Sequence, residues 1–180
     1  MSLLYCARSP AWGNIIAPTE DYATAMSAAL DRTDRAILAV LQADGRISNA
    51  DLAERVSLSP SACLRRVQRL EADGVIAGYA ARLDPNKLGL GLQAFVRLQL
   101  ARHDATTIER FVAKVQGWDE VIACHALTGD MDYLLHVVVR DLEHFSRFLL
   151  DRVLHEGDVA DVNSSFVLRA VKERGALAPP

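Results

Sequence analysis

Arg46-Ile-Ser-Asn-Ala-Asp-Leu-Ala-Glu-Arg-Val56, continued by Ser57-Leu-Ser-Pro-Ser-Ala-Cys-Leu-Arg-Arg-Val-Gln-Arg-Leu-Glu-Ala-Asp-Gly74, decides the fold of the N-terminal half. The first part predicts a short helix, with Ser48 as its N-cap and Leu52, Ala53 and Val56 at helical spacing. The second part opens on Ser59 followed by Pro60. Serine is a favoured cap, and proline is tolerated at the first helical position because its missing N–H is no loss there. Gly74 supplies the C-terminal stop. Two short helices joined by a tight turn form a helix-turn-helix, whose second helix is the kind that enters a DNA major groove.

The side-chain arrangement on that second helix agrees. Cys63, Leu64, Val67 and Leu70 fall on one face, predicted to be buried. Ser61, Ala62, Arg65 and Arg69 fall on the opposite face, flanked by Arg66 and Gln68, and no acidic residue interrupts Pro60 to Leu70. Small residues at the start let a helix approach base edges, and arginines grip phosphate or guanine. A solvated basic face is the alternative for the same residues. The caps, the turn and a preceding helix in register favour DNA, with Ser48, Ser59, Ser61, Ala62, Arg65, Arg66 and Arg69 as candidate contacts.

Working outward, Leu30 to Leu41 carries Ile37, Leu38 and Leu41 at helical spacing behind an acidic first turn, and Asp44-Gly45 ends it. Val75 to Leu83 reads as a β-rich wing. Asp84-Pro85-Asn86 marks a hinge. Residues 30 to 84 hold eight basic and eight acidic side chains, so the positive charge is local to one helix. A single copy then has modest non-specific affinity for DNA, and dimerisation would supply the rest.

The second half has a different rhythm. Leu92–Leu100 reads as a strand, Thr106–Val115 as a helix stopped by Gly117, and Val121–Thr128 and Tyr133–Val139 as strands around a turn at Gly129-Asp130. A helix over about Leu142–Val153 and a strand over Val159–Leu168 complete the order βαββαβ. That order predicts a ferredoxin-like sandwich with an antiparallel sheet. Leu134 to Val139 is apolar on both faces apart from His136, which calls for cover on both sides, most simply a second copy of the chain. His136 itself reads as a hydrogen-bonded core or interface residue.

The runs Leu30–Asp34, Gly45–Ser48, Leu58–Pro60, Arg69–Glu71 and Gly74–Tyr79 together resemble the Lrp/AsnC, or feast/famine, transcriptional regulators. Gly129-Asp130-Met131-Asp132-Tyr133 resembles that family's Gly-Asp-x-Asp-Tyr signature, and the similarity extends from about Leu30 to Lys172. The resemblance implies an effector pocket at this turn, built where chains meet, that holds the two charged ends of an amino acid. Thr128, Gly129, Asp130, Met131, Asp132 and Tyr133 would line it, with hydroxyls from Ser164 and Ser165 on the last strand. Met131 stands at the signature's variable position, so the effector's identity stays open. Glycine followed by aspartate is also ordinary hairpin-turn sequence. Asp130 and Asp132 lack a third ligand for a metal and a partner nucleophile for catalysis.

The expected plan is α+β: an N-terminal winged helix-turn-helix domain over 30–79, a linker strand and hinge over 80–91, a ferredoxin-like βαββαβ regulatory domain over 92–172, and a tail over 173–180. Residues 1–29 lack periodicity and a signal peptide's apolar core, and read as a disordered or non-native extension; its Trp12, Ile15 and Ile16 are the residues a docking arm would use. The 180-residue chain has a net charge of −3, so no global pull draws it to nucleic acid. Cys6, Cys63 and Cys124 lack metal spacing and read as reduced thiols, the last two in cores. A cytoplasmic location without a membrane span follows. The partners expected are double-stranded DNA, further copies of the chain as a homodimer, tetramer or octamer, and an amino acid or related metabolite, with no other cofactor.

Three function classes fit this plan. The leading one is a transcription factor responsive to an amino acid. Some relatives of this architecture decarboxylate a haem precursor, but His103, His125, His136, His144 and His155 form no convergent motif, and no catalytic residue is assigned. An architectural DNA-binding protein blind to effectors would need only the dimer and its reading heads.

Overall fold

The computed structural model describes residues 30–155, 157–172 and 175–178. The extension over 1–29, with Cys6, Trp12, Ile15 and Ile16, lies outside them. The described chain divides into two compact units, with the boundary between Ala80 and Ala81, and the C-terminal residues from Gly175 belong with the first.

The first unit is three helices: α1 (Arg32–Ala43), α2 (Asn49–Arg55) and α3 (Pro60–Ala72). Each begins at a side-chain cap. Asp31 caps α1 in a reciprocal box with Asp34, Ser48 caps α2 through the Asp51 amide, and Ser59 caps α3 through the Ala62 amide, with Pro60 in the first turn. Ser57 makes the turn between α2 and α3 at φ 56°, a left-handed conformation uncommon outside glycine, closed by the Leu58 amide on the Ala53 carbonyl at 2.8 Å. Ile37, Leu38, Leu52, Ala53, Cys63 and Leu70 form the core.

Two expectations fail in this unit. Leu64, predicted on the buried face, is 46% exposed. The covered arc of α3 is only wide enough for a Cys63–Val67–Leu70 seam at i, i+4 and i+7. The expected β wing over 75–83 contains no strand. Gly78, at φ 149°, interrupts the extended run, and the segment is tied down by a side chain instead of a ladder. The Tyr79 hydroxyl donates to Glu71 at 3.0 Å, and its ring lies beside Gly45, where an added Cβ would come within 3.4 Å. The tail also makes a contact with α1. Gln42 on α1 grips the Leu177 backbone from both sides, donating to its carbonyl at 2.9 Å and accepting from its amide at 2.6 Å.

In the second unit a 3₁₀ turn (Asn86–Leu88) occupies the expected hinge. Then follow β1 (Leu92–Leu100), α4 (Ala105–Gln116), β2 (Val121–Ala126), β3 (Tyr133–Val139), α5 (Leu142–Phe148) and β4 (Val159–Phe166). The sheet is antiparallel in the order β2-β3-β1-β4, which is the predicted ferredoxin-like arrangement. The expected helix to Val153 is α-helical only to Phe148 and ends in a π-helical turn, Leu149–Val153.

Alternation sets the layers. Ala94, Val96, Leu98 and Leu100 of β1, with Tyr133, Leu135, Val137 and Val139 of β3, meet Phe111, Val115, Phe145, Phe148 and Val153 in one core. The opposite face of the sheet carries Gln93, Phe95, Arg97, Leu134, His136 and Val138. There Phe95 stacks on His136 at 4.6 Å, and Arg97 donates to Asn163 at 3.0 Å. Both Cys63 and Cys124 are free thiols packed against their cores, and burial pushes the Cys124 thiol up to about 11.

Candidate nucleic-acid interface and effector turn

Helix α3 is fixed from beneath by Cys63 and Leu70 and from its start by the Ser59 cap. The hydroxyls of the turn are largely engaged locally. Ser48 Oγ donates to Asp51 at 2.7 Å, and Ser59 and Ser61 hydroxyls lie 3.3 Å apart. Asn49, which the sequence does not single out, donates from Nδ2 to the Pro60 carbonyl at 2.9 Å and so joins the starts of α2 and α3. Ser61, Ser59 and Arg65 are exposed and Ala62 half-buried.

The three arginines of α3 differ in their surroundings. Arg66 Nη1 donates to Asp31 at 2.7 Å and to Asp34 at 2.8 Å, and Arg69 Nη2 donates to Asp34 at 2.6 Å. Asp34 is 1% exposed, so α1 places a buried carboxylate between two guanidiniums of α3. The Asp34 amide, and then the Arg66 guanidinium, hold the Asp31 carboxyl below the usual carboxylate range. The same two carboxylates raise Arg66. Arg65 has no ion pair among the described residues. The helical wheel puts Arg65 and Arg69 on one face, but only Arg65 presents an uncommitted charge.

Sequence legible as an acidic first turn is therefore also an arginine clamp. Asp31 and Asp34, three residues apart, were the signal, but only the packing of α1 on α3 shows which cations they meet.

The signature turn joins β2 to β3, where the Leu127 amide donates to the Asp132 carbonyl at 2.8 Å. Thr128, Gly129 and Asp130 are exposed, Met131 is half-buried, and Gly129 sits at φ 112°, which a side chain would strain. Asp132 Oδ2 accepts from the Leu100 amide at 2.7 Å, and both carboxylate oxygens lie 3.0 Å from His103 Nε2. Its backbone amide donates to Leu98 at 2.9 Å. Asp132 thus latches the turn to the end of β1. Tyr133 is 8% exposed, with its ring centre 4.7 Å from that of Phe111 in the helix-side core.

Ser164 and Ser165 do not join this turn within one chain. They lie on β4, at the sheet edge remote from β2, and alternation sends them to opposite faces. Ser164 pairs with Val96 on the helix side, where its hydroxyl is buried without a partner, while Ser165 pairs with Phe95 on the open face. No cluster of three or more metal-ligating side chains occurs among the described residues. The sequence also gave no sign of a cavity of about 320 Å³ bordered by Glu120, Arg140, His144, Arg147 and Arg152, in which Glu120 accepts from Arg152 at 3.0 Å and lies 3.3 Å from His144.

A helix-turn-helix head and a βαββαβ unit in one chain define the class of two-part DNA-binding regulators with a ligand-binding module. The model for winged helix-turn-helix DNA-binding domains matches residues 30–77, and that for the Lrp/AsnC ligand binding domain matches 93–177. The chain belongs to the Lrp/AsnC family of transcription regulators. It is 44% identical over 148 residues to the leucine-responsive regulatory protein of Salmonella typhimurium, covering 82% of this chain and 90% of that one. Among solved structures it is similar to a Neisseria meningitidis transcriptional regulator in complex with L-Met, at 49% identity and TM-score 0.79, covering 82% of this chain and 96% of that one. An AsnC family regulator of Agrobacterium tumefaciens is 39% identical with TM-score 0.77, over 82% of this chain and 95% of that one. These relatives are regulators, so the enzyme reading is set aside. No helix among the described residues is long and apolar enough to cross a membrane.

Proposed function

We propose that this chain is a sequence-specific DNA-binding regulator, acting in the cytoplasm, whose DNA binding responds to an amino acid held at subunit interfaces of its second unit. The observation that carries the DNA half is α3: a capped helix anchored by Cys63 and Leu70 that presents Ser61, Ala62 and Arg65 outward. Ser59 caps its start, Ser48 caps the preceding α2, and Arg66 and Arg69 form its flank. The effector half is supported by the Lrp/AsnC ligand-binding match and by the similar Neisseria regulator solved with L-Met.

The uncommitted groups of the turn are Thr128, the Gly129 backbone, Asp130 and Met131. In the proposed pocket the Asp130 carboxylate meets the ammonium end of the ligand, and backbone amides of the turn meet its carboxylate. Asp132 and Tyr133 hold the turn in shape from behind. Ser164 and Ser165 take part only through another copy of the chain. The sheet face carrying the exposed Phe95 and half-buried Leu134 is the surface proposed to pair two copies into a homodimer, the unit from which a tetramer or octamer would grow.

A thermal-shift screen of amino acids, starting with L-methionine and L-leucine, tests the effector half. A ligand present at 100 times its Kd stabilises the folded state by about 2.7 kcal/mol. An unmoved melting curve with every amino acid at millimolar concentration contradicts it.

A further inference from the structure

The clamp between α1 and α3 has a second role beyond holding two helices together, and this inference rests on the DNA-binding reading of α3. We propose that Asp34, assisted by Asp31, is a specificity-determining residue that withholds the charges of Arg66 and Arg69 from the DNA backbone.

The geometry provides two carboxylates for two guanidiniums, at 2.6 to 2.8 Å. Of the three cations on α3, only Arg65 is left to attract phosphate. Non-specific affinity comes almost entirely from such attraction: each phosphate neutralised releases counterions and adds about 0.9 to the slope of log K against log salt. A helix with three uncommitted arginines would hold any DNA sequence firmly. Cancelling two of the charges lowers that background without removing the donors. Arg69 reaches Asp34 through Nη2, so its remaining N–H groups stay able to meet a base edge placed to receive them. The ratio of specific to non-specific binding rises as a result.

Burial of Asp34 keeps the pair intact near DNA. At 1% exposure its carboxylate is shielded from competing salt, and its second oxygen and the Asp31 amide complete the capping box at 3.2 Å. The exposed Asp31 adds a partner for Arg66 alone, so its contribution is the smaller.

The test compares wild type, Asp34→Asn and Asp31→Asn on a random-sequence duplex from 50 to 200 mM salt, with melting curves recorded beside the binding isotherms. Asparagine keeps an acceptor for the cap, and Asp31→Asn preserves a favoured capping residue if Asp34→Asn fails to fold. The expected result is tighter random-duplex binding at low salt. The salt slope steepens by about 0.9 per bound protomer for Asp34→Asn, because Arg69 is released while Arg66 keeps Asp31, or about 3.5-fold more affinity lost across that salt range than in wild type. Asp31→Asn steepens it by less. Adding Arg69→Ala to Asp34→Asn returns the slope to the wild-type value, which a merely structural role would not do. A folded Asp34→Asn or Asp31→Asn protein with an unchanged or shallower slope overturns the inference while leaving DNA binding in place. Wild type that binds no duplex at 50 mM salt refutes the DNA-binding reading and the inference with it.

Discussion

Arg65→Ala and Arg69→Ala are predicted to have opposite phenotypes, although both remove an arginine from the same helix. Arg65 has no ion pair among the described residues, so its loss leaves the folded unit unchanged. On operator DNA it removes one bidentate base contact, worth about 1–3 kcal/mol, which lowers affinity about 5- to 150-fold. Arg69→Ala takes the partner from one oxygen of Asp34, a carboxylate with 1% exposure. That oxygen keeps the Asp31 amide as a donor at 3.2 Å, so the cost does not exceed the about 1–3 kcal/mol of a buried acceptor left wholly unsatisfied. Because Arg69 is itself half exposed and Arg66 still holds the other oxygen, the lower end, about 1 kcal/mol, applies. Urea unfolding and fluorescence anisotropy on a labelled operator fragment, run on both variants, separate the effects. The reasoning is refuted if Arg65→Ala destabilises the protein while Arg69→Ala does not, or if Arg65→Ala binds the operator as wild type does.

Further substitutions divide the signature turn and probe the charges. Asp130→Ala should abolish the effector response and leave effector-free DNA affinity unchanged. Asp132→Ala, which strips the Leu100 amide and His103 of their acceptor, should lower stability by about 1–3 kcal/mol in urea melts. Asp158 is held below the usual carboxylate range by Arg110 and then Lys114. A depressed folded pKa gives stability that is present above the unfolded value and lost as pH falls through the folded one. Asp158→Asn should therefore flatten the acid limb of the stability profile below about pH 4 and leave its neutral shape unchanged. With its thiol pushed up to about 11, Cys124 should resist maleimide at pH 7 until the protein is unfolded, as a mass shift reports.

Signals that act within a few residues were legible in the sequence. Ser48, Ser59-Pro60 and Gly74 mark helix ends by satisfying backbone groups next to them, and the structure places all of them as read. The βαββαβ order was legible for the same reason, since period-2 and period-3.6 runs alternate between turn residues. Signals that depend on packing were hidden. Asp34 reads as a helix-start acid until α3 lies across it. Asp132 looks equivalent to Asp130, yet β1 claims one carboxylate and leaves the other exposed. Val75–Leu83 has strand-like composition, but a strand needs a partner ladder, and among the described residues none runs beside it. Ser164 and Ser165 are adjacent in sequence and sit on opposite faces of the sheet because the side-chain period is two.

The central claim is that an amino acid at the Gly129–Tyr133 turn changes how α3 binds DNA. Its most direct test is an anisotropy titration of operator-bound wild type and Asp130→Ala with L-methionine, L-leucine and the remaining amino acids. Linkage requires that an effector favour one arrangement of the assembly, and typical couplings are about 1–3 kcal/mol, or 5- to 150-fold in DNA affinity. The account predicts a shift of that size for at least one amino acid with wild type and none with Asp130→Ala. An operator affinity that stays constant across every amino acid, or a shift that survives intact in Asp130→Ala, contradicts it.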